Sequence, residues 1–486
     1  MRHLKVLLEN YKLSQGIREL YRIVGQDEVE YIENFNEYKE GLLVYSRLFY
    51  NGEKDFAETN VYHNGRIFSR SLEEIQAIDV YIDSIRKKKD VALKKTILKA
   101  MKYEGKIAWG ILTGIRPTKI VHRLLDQGLD LGEIRRVLGQ EYLLREDRME
   151  LLLDIVQRQR AYLRESRGKY SIYVGIPFCP SRCLYCSFPA FSIEASRDYV
   201  ASYVDSLIYE IRESSKFLDL EKINTIYIGG GTPTSLEIGQ LERIIRELRR
   251  IFGPAIQEFT VEAGRPDTLN YDYLKMLKEN GVDRISINPQ TMNDRTLEII
   301  GRDHTSREVI NIYRMAQELG IDHINMDLIV GLPHEGYEDV KNTLRELEAL
   351  EPDNLTIHSL AVKTGSKFSR VLGDYDMISD REAERISSLI ADYTRKMKLE
   401  PYYLYRQKQI AGNLENIGYS RSGDFCKYNI SMMEERETVL GFGLGSVSKI
   451  LGEGSIERLP NFRGLKDYLE RVDELVEKKR KYLSSL

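Results

Sequence analysis

The stretch Tyr173-Val-Gly-Ile-Pro-Phe-Cys179-Pro-Ser-Arg-Cys183-Leu-Tyr185-Cys186 starts as a β-branched, aromatic strand and ends as a compact loop with the spacing C-x3-C-x2-C. Three of the chain's 4 cysteines lie in this loop, and Cys426 stands alone. Three thiolates therefore converge just beyond a strand end. Clustering of this kind in a reducing compartment favours a metal over disulfides. A cubane iron–sulfur cluster normally takes four cysteines, so three leave one iron open to a reactant. The alternatives are three unrelated thiols or a zinc site completed by a distant residue such as Cys426 or a histidine. Zinc sites usually pair C-x2-C with a second close pair, which is not seen here.

Outward from this loop, residues 169–360 alternate short β-branched or aromatic runs with amphipathic helical stretches. The expected strands are Ser171–Ile176, Ile223–Ile228, Glu258–Glu262, Arg284–Asn288, Ile324–Val330 and Leu355–Leu360. Tyr199, Tyr203, Leu207 and Ile211 recur every four residues after the first strand. Leu241, Ile244, Ile245, Leu248 and Ile251 recur at spacings of three and four after the second. Both patterns predict helices with one buried face. The βα repeat of about 26–52 residues is long enough for right-handed crossovers in a parallel sheet. Six such units predict an α/β fold, a partial or closed barrel with its chemistry at the strands' C-terminal ends.

The flanking regions differ. Within residues 1–165, Asn51-Gly52 and Asn64-Gly65 follow strand-like runs and predict two hairpins. Helical, charged sequence is expected from about Leu72 to Arg164, with the basic run Arg86-Lys-Lys-Lys89, Lys94 and Lys95 as a solvated helix face. The domain reading is an N-terminal α+β extension over residues 1–165, a barrel over 166–372, and a mainly helical C-terminal region over 373–486. In the last, Gly441-Phe-Gly-Leu-Gly445 is expected to be a turn where backbones approach closely.

With 486 residues the chain has room for two to four domains of roughly 100–200 residues each. Its formal net charge of −3, with charges spread along the chain, gives no sign of a nucleic-acid partner. No window approaches the roughly 20 apolar residues of a membrane span. The start, MRHLKVLLENYKL, is broken by Glu9 and Lys12 and does not read as a signal peptide. A cytoplasmic location is expected.

The C-x3-C-x2-C loop after a first strand, with an aromatic residue before the last cysteine, resembles the radical S-adenosylmethionine (SAM) enzymes. The resemblance implies a 4Fe-4S cluster on Cys179, Cys183 and Cys186 whose free iron chelates SAM. Reductive cleavage of SAM then gives a 5′-deoxyadenosyl radical. Gly229-Gly230-Gly231-Thr232-Pro233-Thr234 resembles the segment that holds the methionine amino group. The set completed by Gly281-Val-Asp-Arg-Ile-Ser286, Gln290, Gly301-Arg302 and Asp327-Leu-Ile-Val-Gly-Leu-Pro333 resembles the oxygen-independent coproporphyrinogen oxidase family, over about residues 168–450. That family includes HemN decarboxylases, HemW haem chaperones and HemZ proteins. Trp109-Gly-Ile-Leu-Thr-Gly-Ile-Arg-Pro-Thr-Lys119 and Tyr402-Tyr-Leu-Tyr-Arg-Gln-Lys408 look most like the HemZ, coproporphyrinogen dehydrogenase, type.

By motif position, the resemblance implies SAM contacts from Tyr173, Tyr185, Gly230, Gly231 and Thr232, and from Glu262, Gln290, Arg302, Asp327 and Ala361. Tyr173 is also a catalytic candidate, touching substrate or a second SAM. The implied activity is oxidative decarboxylation of two propionates of coproporphyrinogen III to vinyls, giving protoporphyrinogen IX, with electrons from a donor such as a flavodoxin or ferredoxin. Arg116, Lys119, His122 and Arg123 are candidate cations for the propionates. There are two departures. Phe188 stands where HemN enzymes carry a further cysteine, as in HemW-like members, and Tyr428-Asn-Ile-Ser-Met-Met433 lacks the histidine of the HemW haem motif. A haem-transfer protein and a radical enzyme acting on another tetrapyrrole are the alternatives.

Overall fold

The computed structural model describes residues 4–484 except 26–28, 83, 115, 254–255, 362, 364, 372–374, 376–377, 408–413 and 453–454. Ile115, Lys408 and the expected domain boundary at 372–373 lie outside the described residues. The chain divides into two compact units, residues 1–156 and 157–486. The boundary expected after residue 165 lies inside the second unit, at the end of helix Glu146–Glu165, which crosses the division.

The first unit is built on a five-stranded sheet of order β2-β1-β3-β4-β5. Its strands are β1 (Leu4–Glu9), β2 (Val29–Tyr31), β3 (Leu42–Tyr50), β4 (Asp55–His63) and β5 (Arg66–Glu74). The two Asn-Gly signals join β3 to β4 and β4 to β5 as antiparallel hairpins. Leu72 is therefore strand, not helix, because β4 supplies it with a ladder partner in Glu58. Helix Ile85–Ala100 packs on β3, β4 and β5, with Thr59 and Thr96 hydroxyls 2.8 Å apart in the interface. Its Lys94 and Lys95 are buried rather than solvated. Lys94 pairs with Asp90 at 2.7 Å and Lys95 with Glu141 at 2.9 Å, which satisfies both ammonium groups.

The second unit holds an open eleven-stranded sheet of order β14-β15-β13-β12-β11-β10-β9-β6-β16-β17-β18. Its parallel centre is β6 (Tyr170–Ile176), β9 (Ile223–Gly230), β10 (Glu258–Val261), β11 (Arg284–Ser286), β12 (His323–Val330) and β13 (Asn354–Ser359), each within two residues of the expected strand ends. A two-stranded ribbon, β7 (Phe178–Cys179) with β8 (Phe191–Ser192), follows β6. Helices Arg197–Ser215, Ile238–Phe252, Tyr271–Glu279, Ser306–Glu318 and Tyr337–Leu350 lie in the crossovers. In the first, the buried face runs through Val200, Tyr203, Leu207 and Ile211, while Tyr199 is 40% exposed, because the apolar stripe is centred one residue later.

The C-terminal region adds strands on both sides of this centre: β14 (Glu400–Tyr405), β15 (Asn416–Ser420), β16 (Thr438–Phe442), β17 (Val447–Leu451) and β18 (Ile456–Pro460). The expected glycine turn is thus half strand. Gly441 lies in β16, parallel to β6, and the turn starts at Gly443. Gly443 has φ +87°, and a Cβ there would run into the Gly175 carbonyl, which is the close backbone approach the glycines permit. The fully buried Glu210 fastens this region. It accepts bonds from Gly443 N at 2.9 Å, Asn461 Nδ2 at 2.7 Å, Tyr468 Oη at 2.6 Å and Lys479 Nζ at 2.5 Å. Gly443→Ala is expected to cost about 2–4 kcal/mol, since it adds both left-handed strain and a backbone collision. Chemical denaturation checks this, and an unchanged midpoint would show that the loop simply moves aside. Among the described residues, no helix is long and apolar enough to cross a membrane.

Candidate active site

Successive side chains of a strand point to opposite faces, so alternate residues of the parallel strands share one surface. Near their C-terminal ends the strands enclose a cleft of about 470 Å³. Tyr173 comes from β6, Gly230 and Gly231 from the end of β9, Glu262 from the end of β10 and Gln290 from beyond β11. Asp327 lies within β12, and Ala361 follows β13. Arg302, Tyr185, Thr232 and the three clustered cysteines complete the lining, so all thirteen expected site residues meet in one place.

Backbone bonds fix the cysteine loop. Gly231 N and Thr232 N donate to the Ile176 and Phe178 carbonyls, both at 2.7 Å, and Leu184 N donates to Ile300 O at 2.9 Å. Arg265, 3% exposed, donates to Ser181 O and Oγ at 3.2 and 2.9 Å and to Asp267 and Asp303, tying the loop to the end of β10. A Cβ on Gly231 would stand 2.6 Å from Phe178 O and 2.9 Å from Cys179 Sγ, so only glycine lets the strand edge pass this close to the thiol.

The charged groups are held with donors to spare. Arg302 donates through Nη1 to Gly264 O at 3.0 Å and through Nη2 to Tyr185 Oη at 3.2 Å, while its buried Nε has no partner. Gln290 adopts φ +67°, with its backbone N and O both bonded to β12, and its buried Oε1 is also without a partner. Burial acts to raise the Asp327 carboxyl, but bonds from His358, Asn325 and Thr356 outweigh it and hold the group below its ordinary range. Burial first, and then the Asp327 charge, push Glu262 up to about 7.

A stability prediction follows from Glu262. Its carboxyl is neutral in the folded protein below about pH 7, whereas unfolded glutamate ionises near 4.5. The group therefore costs almost no stability below pH 4.5, progressively more from pH 4.5 to about 7, and a constant amount above that. Glu262→Gln is expected to stabilise the empty protein by about 2 kcal/mol at pH 8.5, the open cleft screening part of the penalty, and by almost nothing near pH 4. Urea titrations at the two pH values measure the difference, and equal gains at both would refute the assignment.

Several lining residues escaped the sequence reading. His358 sits between Asp327 (Nε2 to Oδ2, 3.6 Å) and Tyr405 (Nδ1 to Oη, 3.1 Å). Tyr227 and Tyr428 stack near-parallel at 4.4 Å, with Tyr173 beside them at 6.3 and 6.2 Å. Asn288 and Asn325 bond Asp327 through its N and Oδ1. The available signal was the period-two pattern beyond the motif residues: Thr356 and His358 on β13, Tyr403 and Tyr405 on β14. Cys426 is outside the lining; it is buried, with its Sγ 3.3 Å from Glu258 Oε1. Of the four candidate cations near residue 120, His122 is buried.

A crossover sheet whose first strand feeds a three-cysteine loop, facing a glycine-rich second strand end, defines a radical SAM protein, and the profile of the Radical SAM superfamily matches residues 173–347. The oxygen-independent coproporphyrinogen-III oxidase-like protein HemZ of Bacillus subtilis is 41% identical over 387 residues, 78% of this chain and 77% of that one. The chain belongs to this family of radical SAM proteins. Heme chaperone HemW of Bacillus subtilis is 29% identical, over 63% of this chain and 76% of its own. The solved structure of coproporphyrinogen III oxidase HemN from Escherichia coli superposes with TM-score 0.52 at 23% identity, over 66% of this chain and 73% of that chain, and so shares the fold.

The cofactors of such a protein are a 4Fe-4S cluster and SAM, and the residues present fit both. The loop offers three thiols and no competing ligand, Thr232 Oγ1 donates to Cys179 Sγ at 3.5 Å, and the unpartnered Arg302 Nε and Gln290 Oε1 await polar atoms of a ligand. Among the described residues no three Cys, His, Asp or Glu side chains already stand at ion-ligating separations, so the fit rests on the donor set and its cradle.

Proposed function

We propose that the protein is an oxygen-independent coproporphyrinogen III dehydrogenase of anaerobic haem synthesis, working in the cytoplasm. The observation that carries this reading is a single cleft uniting the three cysteines, the glycine edge and the Glu262–Asp327–Arg302 charge set. It occurs in a chain whose 41% identical relative is named for coproporphyrinogen oxidase. When bound, the cluster and SAM supply one electron and the hydrogen-abstracting 5′-deoxyadenosyl radical.

Each protein group has a task in that chemistry. Cys179, Cys183 and Cys186 hold the cluster. The Gly230, Gly231 and Thr232 backbone receives the methionine amino group, and the Arg302 fork pairs with its carboxylate. Glu262 and Asp327 accept from the ribose hydroxyls, with Gln290, Tyr185 and Ala361 closing the remaining faces. Tyr173, Tyr227 and Tyr428 present aromatic surface to the tetrapyrrole and keep water from the reacting carbon. Each of two propionates loses a hydrogen atom, carbon dioxide and, to a one-electron acceptor, an electron, and leaves a vinyl group. A small carrier such as a flavodoxin or ferredoxin supplies the reducing electron.

A haem-transfer role is the second reading, favoured by Phe188 at the cleft, 60% exposed, and by Met432 and Met433 in its wall. Anaerobic reconstitution followed by SAM, reductant and coproporphyrinogen III separates the two. We expect carbon dioxide and protoporphyrinogen IX, with two 5′-deoxyadenosines per product. Tight haem binding without turnover would instead establish the transfer role.

A further inference from the structure

The cleft contains a line of polar side chains that begins at Asp327, beside the cofactor residues, and runs away from them through His358 to Tyr405. Asp327, on β12, faces His358 Nε2 at 3.6 Å. His358 Nδ1 meets Tyr405 Oη at 3.1 Å, and Gln407 Nε2 donates to the same hydroxyl at 3.5 Å. All four side chains line the cleft. Parallel pairing sets the spacing. Asp327 is opposite Thr356 and Ile329 opposite His358, so the imidazole stands one inward position further along than the carboxylate. Tyr405 reaches it from antiparallel β14, its ring stacked on Tyr403 at 6.4 Å and 3° and its carbonyl bonded by Asn416 Nδ2. Among the described residues, Asp327 and Tyr405 lie against His358, Glu262 at the end of β10 feels its charge and that of Arg302, and Tyr403 on β14 feels that of Asp327.

We propose that Tyr405, His358 and Asp327 form a carboxylate-binding relay: one propionate of the tetrapyrrole accepts the Tyr405 hydroxyl proton in a hydrogen bond while His358 takes up a proton from solvent. The inference rests on the tetrapyrrole reading of the cleft. With a neutral imidazole carrying its proton on Nε2 toward Asp327, Nδ1 is an acceptor and holds the Tyr405 O–H. Once His358 is protonated, Nδ1–H donates to Tyr405 Oη instead, and the tyrosine proton turns to the ligand. Asp327 balances the new charge. A carboxylate ligand and one proton therefore bind together. An anchor of this kind suits a propionate that is kept, because a held carboxylate resists loss as carbon dioxide.

The test uses the full, anaerobically reconstituted chain and coproporphyrin III, the non-reacting oxidised analogue, titrated by calorimetry in buffers of different ionisation enthalpy and by fluorescence from pH 6 to 8.5. The wild type is expected to take up close to one proton per ligand at pH 8 and to bind about ten-fold more weakly there than at pH 6.5. Tyr405→Phe, which keeps the stacked ring, is expected to bind about ten-fold more weakly at pH 6.5 and to take up no proton. His358→Gln is expected to flatten the pH profile. Esterified coproporphyrin, lacking carboxylates, is expected to show no linkage in any variant. Tight binding with equal proton uptake in all three proteins overturns the relay and leaves the dehydrogenase reading standing. Failure of the wild type to bind the porphyrin at all overturns that reading and the relay with it.

Discussion

Anaerobically reconstituted Cys183→Ala protein is expected to show no iron–sulfur absorption and no 5′-deoxyadenosine above background, whereas Cys426→Ala keeps both. The two cysteines are both buried, so accessibility does not separate them; position does. Cys183 lies in the loop anchored to Ile300 and facing the cleft. Cys426 lies outside the cleft lining, against Glu258 and Arg284, with its Sγ 3.3 Å from Glu258 Oε1. With two thiols left, the loop would no longer hold the cluster on which SAM binding and cleavage would depend. Iron and sulfide analysis beside the activity assay distinguishes loss of cluster from loss of fold. A Cys183→Ala protein that retained a SAM-cleaving cluster would remove the basis of the functional assignment.

Arg302→Ala is expected to weaken SAM binding by about 10²–10³-fold, the loss of two charge-assisted hydrogen bonds to a carboxylate in a buried setting. Its guanidinium is already oriented by Gly264 O and Tyr185 Oη, so little ordering remains to be done when the ligand arrives. Lysine supplies the charge but not the planar fork, and Arg302→Lys is expected to recover less than a tenth of the lost affinity. Equilibrium dialysis with labelled SAM measures both. If lysine restored wild-type affinity, Arg302 would be acting as a point charge and the carboxylate clamp would be wrong.

The six central strands were legible because each is a run of β-branched residues bounded by helix-period sequence, and parallel strands buried on both faces announce themselves this way. The C-terminal strands were not. Thr438–Phe442 contains Gly441 and leads into Gly443, and glycines in sequence read as chain breakers. Here they are what allows β16 to lie against β6, a reason visible only once the Gly175 carbonyl is in place. Lys95 looked like part of a solvated face because its partners, Glu73 and Glu141, lie far away in the sequence. Within the site, the cysteine spacing was specific enough to read alone. His358 was not, since a single histidine in an apolar strand carries no sign of its partners. Its role emerges from β14 arriving 47 residues later in the chain.

Among the described residues the order of the large sheet begins at β14 and ends at β18, with no ladder joining those two strands. In a sealed eight-stranded barrel, side chains fill the bore, and reactants are confined to the loops on top. Both edge strands lie beyond residue 399, so the final fifth of the polypeptide supplies the margins of the sheet, while the thirteen candidate site residues all fall between 173 and 361.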